Sequence, residues 1–390
     1  MEIVLREQIS KNELERRWKA VREAMEKRGM DCLVMHNSNQ YLGGYVRYFT
    51  DIPAATYGLS VIFPLDDEMT VISHGPNSPT PTRPSDLSYG VKAQITCPYI
   101  PTLNSTNTMD AEAAVKTFKE QNVKSLGFVA KALMPAFFYE YVREKLPEVD
   151  MHDATDLVDE IKVIKSEEEI KLIKKAVELH DKIFEATLEL IRPGVMEYEI
   201  SSEIQRLAIC MGSEYGQNMV GSAPAGTPAS MKPLRFQNRR LKYGDQICTL
   251  IEVNGPGGFY GELARTACIG VAPKSLLDVW YDAVEAQDRA AELMKPGTTP
   301  RELFDAHNKL LASNGYPAER RLFSHGQGYD MVERPSVRPE ESMKIKTNMF
   351  MAIHPVLQTK TAHGFCCDNF VVTDSGTVRL SKTSREVFIV

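Results

Sequence analysis

The chain has no apolar run near the roughly 20 residues that a membrane-spanning helix needs, and its mean hydropathy is −0.28. A membrane partner is therefore not expected. Its first residues, MEIVLREQIS, carry charge at Glu2 and Arg6 and lack the apolar core of a secretory signal, which points to a cytoplasmic setting. Cysteine is scarce and odd in number: Cys32, Cys97, Cys210, Cys248, Cys268, Cys366 and Cys367 are spread along 390 residues. Such a set reads as reduced thiols and excludes a disulfide framework. Excess positive charge is also missing. A net charge of −6 gives nucleic acid or an anionic surface no electrostatic reason to bind.

What is present suits more than one core, since 390 residues exceed the usual size of a single domain. Residues 12–28 follow a helical period, and apolar runs at Cys32–Met35, Leu59–Phe63 and Met69–Ser73 read as strands. Helix and strand alternate, which predicts an α/β layer. The proline- and serine-rich segment 75–86 reads as a loop. Near residue 160 a second domain begins: Ser166 and Glu169 form a capping-box pattern ahead of Ile170, Ile173, Val177, Phe184, Leu188 and Ile191.

The second half repeats itself. Arg192-Pro193-Gly194 and Lys295-Pro296-Gly297 each end a long amphipathic helix. A further helix then runs to Gly212 or Gly315, each 19 residues past its proline, from 193 to 212 and from 296 to 315. Each copy next reaches a strand, ICTLIEV (247–253) or MFMAIHPV (349–356). Glu252 stands 59 residues after Pro193, and His354 stands 58 after Pro296. Duplication predicts a pseudo-twofold unit in which polar residues at matching positions converge. His325, in the glycine-flanked SHGQGYD, and Glu262, in GELART, belong to the same candidate site. Arg265 of GELART is the candidate partner for Glu252 or Glu262, because a buried carboxylate needs one.

KSEEEI, the two proline-glycine turns, GGFYGELART, SHGQGYDMVERP, MAIHP and DNFVVTDSG together resemble the pita-bread family of methionine aminopeptidase, aminopeptidase P, prolidase and creatinase. NSNQYLGGYVRYFTD (37–51) resembles the N-terminal domain of creatinase and prolidase. The resemblance implies an α/β (α+β) fold with an N-terminal creatinase/prolidase-type domain over 1–160 and a pseudo-twofold pita-bread domain over 161–390. It also implies a homodimer.

Peptidases of this family hold two metal ions with two aspartates, a histidine and two glutamates. Matched by motif, the second aspartate falls on Glu262, the histidine on His325, the first glutamate on His354 and the last on Cys367. The first aspartate falls on Leu250, Ile251 or Glu252. A further peptidase histidine matches Val332, and the creatinase histidine falls near Met231, Lys232 and Pro233. The creatinase arginine that reaches the substrate carboxylate falls near Ala55, with Arg47 close by.

With so few carboxylates the expected centre is not dinuclear. The first expectation is a creatinase-like, metal-independent hydrolase with no cofactor, cleaving a carbon–nitrogen bond in a small nitrogenous compound. His325, His354 and Glu262 would act on the bond, and Glu252, Arg47, Arg265 and Cys367 would bind the substrate. One alternative is a mononuclear hydrolase or lyase, similar to an Xaa-Pro peptidase, with zinc or iron on Glu262, His325, His354 and Cys367. The other is a small-molecule binding protein without turnover.

Overall fold

A computed structural model describes residues 7–37, 41–42, 44–53, 57–75, 89–98 and 108–390. The segment 76–88, which takes in most of the expected loop, lies outside the described residues, as does Ala55. The chain divides into two compact units, with the main boundary between Lys162 and Val163.

The N-terminal unit contains α1 (Lys11–Lys27), β1 (Cys32–Asn37), α2 (Gly44–Thr50), β2 (Leu59–Pro64), β3 (Met69–Gly75) and β4 (Val91–Pro98). It continues with α3 (Met109–Glu120), β5 (Ser125–Val129), α4 (Ala136–Lys145), β6 (Asp150–Asp153) and α5 (Thr155–Lys162). Helix α1 starts where the Ser10 hydroxyl accepts from the Glu13 N–H, and it buries Leu14, Trp18, Val21 and Met25, the spacing of one helical face. The strands form one mixed sheet in the order β4-β3-β2-β1-β5-β6. Cys32, Val34, Ile62, Ile72 and Phe128 from its strands pack with Ala114 and Phe118 of α3 and Phe138 of α4. β1 and β2, near the middle of the sheet, are buried at every position.

The C-terminal unit shows the duplication in its hydrogen bonds. In its first half, α6 (Glu167–Leu188) and α7 (Glu197–Cys210) lead into β7 (Gly216–Pro224), β8 (Asp245–Asn254) and β9 (Tyr260–Cys268). In its second half, α8 (Lys274–Leu293) and α9 (Pro300–Ser313) lead into β10 (Ser324–Gly326), β11 (Glu333–Ser336) and β12 (Phe350–Ile353). The hairpin β13 (Val356–Gln358) and β14 (His363–Phe365) follows, then β15 (Asp368–Thr373), β16 (Gly376–Arg379) and β17 (Val387–Ile389). The expected capping box of Ser166 with Glu169 closes, and Thr299 with Glu302 forms another at the start of α9. Gly194 and Gly297 share a φ of 95°, a left-handed value that disfavours any side chain. Their N–H groups donate to the carbonyls of Leu241 and Ile345, and those residues donate back to Val195 and Thr298. Two copies of one turn are thereby held by the same pair of bonds.

The two halves build separate sheets, β17-β9-β8-β7 and β11-β10-β12-β15-β16. They meet at an isolated bridge between Ala264 and Cys367. Asn369 reinforces the seam: its Oδ1 accepts from the Glu262 N–H at 2.7 Å and its Nδ2 donates to Gln327 Oε1 at 2.9 Å. Strand β12 ends at Ile353, so His354 stands just past the strand rather than within it. Pro355 lacks the N–H that would continue the ladder.

One core residue makes the fold acid-sensitive. His307 of α9 is buried, stacks on Phe323 with ring centroids 3.8 Å apart, and has no hydrogen-bond partner for either ring nitrogen among the described residues. Burial holds it neutral, at a pKa of about 4. Because that value lies below the unfolded one, near 6.5, the stabilisation is complete above about pH 6.5 and is lost as pH falls toward 4. His307→Phe is expected to lose about 2 kcal/mol less stability than the parent between pH 7 and pH 5. Urea unfolding at the two pH values measures the difference.

Candidate functional site

The site forms where the two sheets of the C-terminal unit meet. Glu252 of β8 lies directly opposite Glu262 of β9 in the antiparallel register. His325 comes from β10 and His354 from the turn after β12, whose backbone N–H donates to the Phe323 carbonyl at 2.8 Å. Glu262, His325 and His354 are all buried, and one ligand atom from each lies within 4.8 Å of the others.

The tautomer of His325 follows from its partner. Nδ1 sits 2.8 Å from the Gly326 carbonyl, which can only accept, so Nδ1 carries the hydrogen. Nε2 is therefore a bare lone pair, 3.7 Å from Glu262 Oε2. This contact is not an ion pair. Burial pushes His325 down to about 4 and, with the charge of Glu252 added, lifts Glu262 well above the ordinary carboxyl range. Glu262 Oε2 makes no hydrogen bond, and neither ring nitrogen of His354 has a partner among the described residues. His354 is pushed well down, first by burial and then by His325. Burial also raises Glu252 to about 7, although Gln217 Nε2 donates to it at 2.8 Å.

Buried acceptors facing one another are costly unless a cation or a proton lies between them. The spacing suits one cation. In a tetrahedral site with bonds of about 2.0–2.1 Å, donors stand about 3.4 Å apart. The Cys367 thiol lies 3.8 Å from the backbone carbonyl of Glu262 and also meets the Glu262 carboxyl group, and burial with the neighbouring acids pushes its pKa well up. Cys367, a ligand in the mononuclear alternative, is not among the three residues whose donor atoms converge.

Arg265 also departs from its expected role. Strand alternation turns it from the Glu262 face, and its guanidinium pairs with the fully buried Asp368 at 2.6 Å. It also donates to the carbonyls of Ala264, Cys367, Thr383 and Ser384. It joins strands and pairs with neither glutamate. Arg47, in the N-terminal unit, lies 3.6 Å from Asp51. Between β7 and β8, Arg239 pairs with Asp245 at 2.5 Å and Lys232 with buried Glu197 at 2.9 Å.

Two residues absent from the sequence reading belong here. His363 of β14 is buried with Nε2 unpartnered, and the charge of Arg321 reaches Glu262, His354 and His363. Arg321 stands four residues before His325, a spacing that could have flagged it.

With this geometry in view, residues 171–383 match metallopeptidase family M24, and residues 17–164 match the creatinase/prolidase N-terminal domain. The chain belongs to metallopeptidase family M24. It is 27% identical over 272 residues to an Xaa-Pro dipeptidase of Pyrococcus horikoshii, covering 68% of this chain and 76% of that protein. An uncharacterized hydrolase/peptidase of Sinorhizobium fredii is 25% identical over 389 residues, 96% of each chain. Among solved structures, an Xaa-Pro dipeptidase from Bacillus anthracis superposes with a TM-score of 0.77 at 20% identity, covering 97% of this chain and all of that one. The prolidase from Pyrococcus horikoshii gives 0.75 at 22%, covering 96% and 100%. These likenesses establish the two-part α/β fold of M24 hydrolases. Among the described residues no helix is long and apolar enough to cross a membrane.

Proposed function

We propose that this M24 member hydrolyses an amide-type carbon–nitrogen bond in a small substrate, with one divalent ion held by Glu262, His325 and His354. The observation that carries this reading is the bare Nε2 of His325 facing the unbonded Oε2 of Glu262, beside a histidine with two free ring nitrogens. Membership in a metallopeptidase family supports it over the expectation of a metal-independent enzyme. An ion there would polarise a carbonyl and acidify water. Glu252, opposite Glu262, is placed to take the proton of the attacking water and return it to the leaving nitrogen. Gln217 fixes its carboxylate.

Glu252→Gln is expected to keep its metal while losing about 10²- to 10⁴-fold in turnover of short peptides or N-acyl amino acids. Unchanged turnover would remove Glu252 from the reaction. Homodimerisation stays an expectation of the resemblance, open to sedimentation analysis, and a cytoplasmic setting stays an expectation of the sequence.

A further inference from the structure

We propose that Met231, with Met219, Val356 and Phe365, forms an apolar pocket beside the donor cluster that takes a medium-sized, uncharged side chain of the substrate, such as that of methionine or leucine. The inference rests on the hydrolase reading above and names its substrate class.

The sheet face that carries the two glutamates runs on into this pocket. Leu250 shares the face of Glu252 along β8, and directly opposite the pair on β9 stand Ala264 and Glu262. On β7 the same face carries Gln217, Met219 and Gly221, the first two opposite Glu252 and Leu250. Polar groups give way to apolar ones within two residues, about 7 Å along the strand, a distance that one substrate side chain spans. Leu250, Ala264 and Phe365 pack in one buried cluster, with Met219, Met231 and Val356 half-buried against it. Phe365 joins that cluster to the donors, because its ring stands 6.2 Å from that of His354.

Gly221 sets the place of Met231. A side chain at 221 would put its first carbon 1.8 Å from the Ser230 carbonyl oxygen and 3.1 Å from the Met231 Cα, so glycine is what lets this loop lie against β7. The loop is also pinned by hydrogen bonds: Ser230 Oγ donates to Gln358 Oε1 at 3.3 Å, and Gln237 Nε2 donates to the Lys232 carbonyl at 2.7 Å. The charges adjoining the pocket residues in sequence are engaged elsewhere. Lys232 pairs with buried Glu197 at 2.9 Å, and Arg265 pairs with Asp368 on the opposite face of β9. Half-buried methionines beside the donor cluster suit an apolar side chain, since the thioether adapts its shape and the contact removes apolar surface from water. A charged side chain would lose its hydration there and find no partner.

The test uses two dipeptide series on the metal-loaded protein, Xaa-Gly and Gly-Xaa, with alanine, methionine, glutamate or lysine as Xaa. In at least one series the parent is expected to favour methionine over alanine by at least about 10-fold in kcat/KM, and over glutamate and lysine by more. Met231→Ala should remove most of that preference through KM, Met231→Leu should restore it, and metal content should not change. Gly221→Ala, which displaces the loop, should act like Met231→Ala. Equal rates for alanine and methionine in both series, or a preference unchanged in Met231→Ala, would overturn the proposal. So would a sedimentation coefficient changed by Met231→Glu with selectivity intact, which assigns the face to a second copy of the chain. If the parent turns over neither series, calorimetry separates the two ideas. Binding of N-acetylmethionine but not N-acetylglutamate, lost in Met231→Ala, upholds the pocket while the hydrolase reading fails; binding indifferent to the side chain, or none, overturns the pocket.

Discussion

His325→Ala lowers turnover and metal occupancy together, by more than the roughly 10- to 100-fold that loss of a residue supporting a ligand costs. The variant removes the lone pair that faces Glu262 Oε2 and leaves His354 without its neighbouring ring, 5.0 Å away. Folding is expected to survive. The ring makes one hydrogen bond, to the carbonyl of the next residue, so the stability loss is about 1–2 kcal/mol. Steady-state kinetics, elemental analysis and a urea melt on one preparation separate these effects. Turnover at the parental rate would remove His325 from the site.

Arg265→Ala has the opposite profile, with a stability loss of about 3–5 kcal/mol and no direct effect on the donor cluster. The substitution strands the carboxylate of Asp368, which is fully buried, and takes one donor away from each of four backbone carbonyls, two of which, Ala264 and Cys367, keep the donor of their bridge. Arg379, at 3.4 Å, is the only other cation paired with Asp368 among the described residues. A urea midpoint lowered to match, with metal stoichiometry kept in the folded fraction, is the expected result. A variant of parental stability that has lost its metal would return Arg265 to the site.

The contrast between these two residues shows what the sequence carried. The duplication was legible because backbone geometry dictates it: a left-handed residue after each proline admits glycine most readily, so Gly194 and Gly297 mark equivalent turns. The capping box at Ser166 and Glu169 was legible for a similarly local reason. Glu262, His325 and His354 were found because they fall at repeat or motif positions, and the fold brings them together. Arg265 shared a motif with Glu262 and was misjudged. Its odd spacing from Glu262 along β9 already implied the opposite face, but only the fold shows Asp368 waiting there. Cys367 held a motif position as well, yet its direction is set by the bridge to Ala264, a long-range contact that no local pattern encodes. His363 and Arg321 lie in a hairpin and a bend without periodicity, and their nearness to the site is a property of tertiary packing alone.

The central claim is a site for one ion rather than two, and stoichiometry tests it most directly. The protein would be loaded with zinc, manganese or iron, freed of loose ions, and assayed by elemental mass spectrometry beside His354→Ala. One ion per chain in the parent and a loss of most of it in the variant is the result expected from three converging donors. Two ions per chain, or an ion that His354→Ala retains in full, would contradict the account.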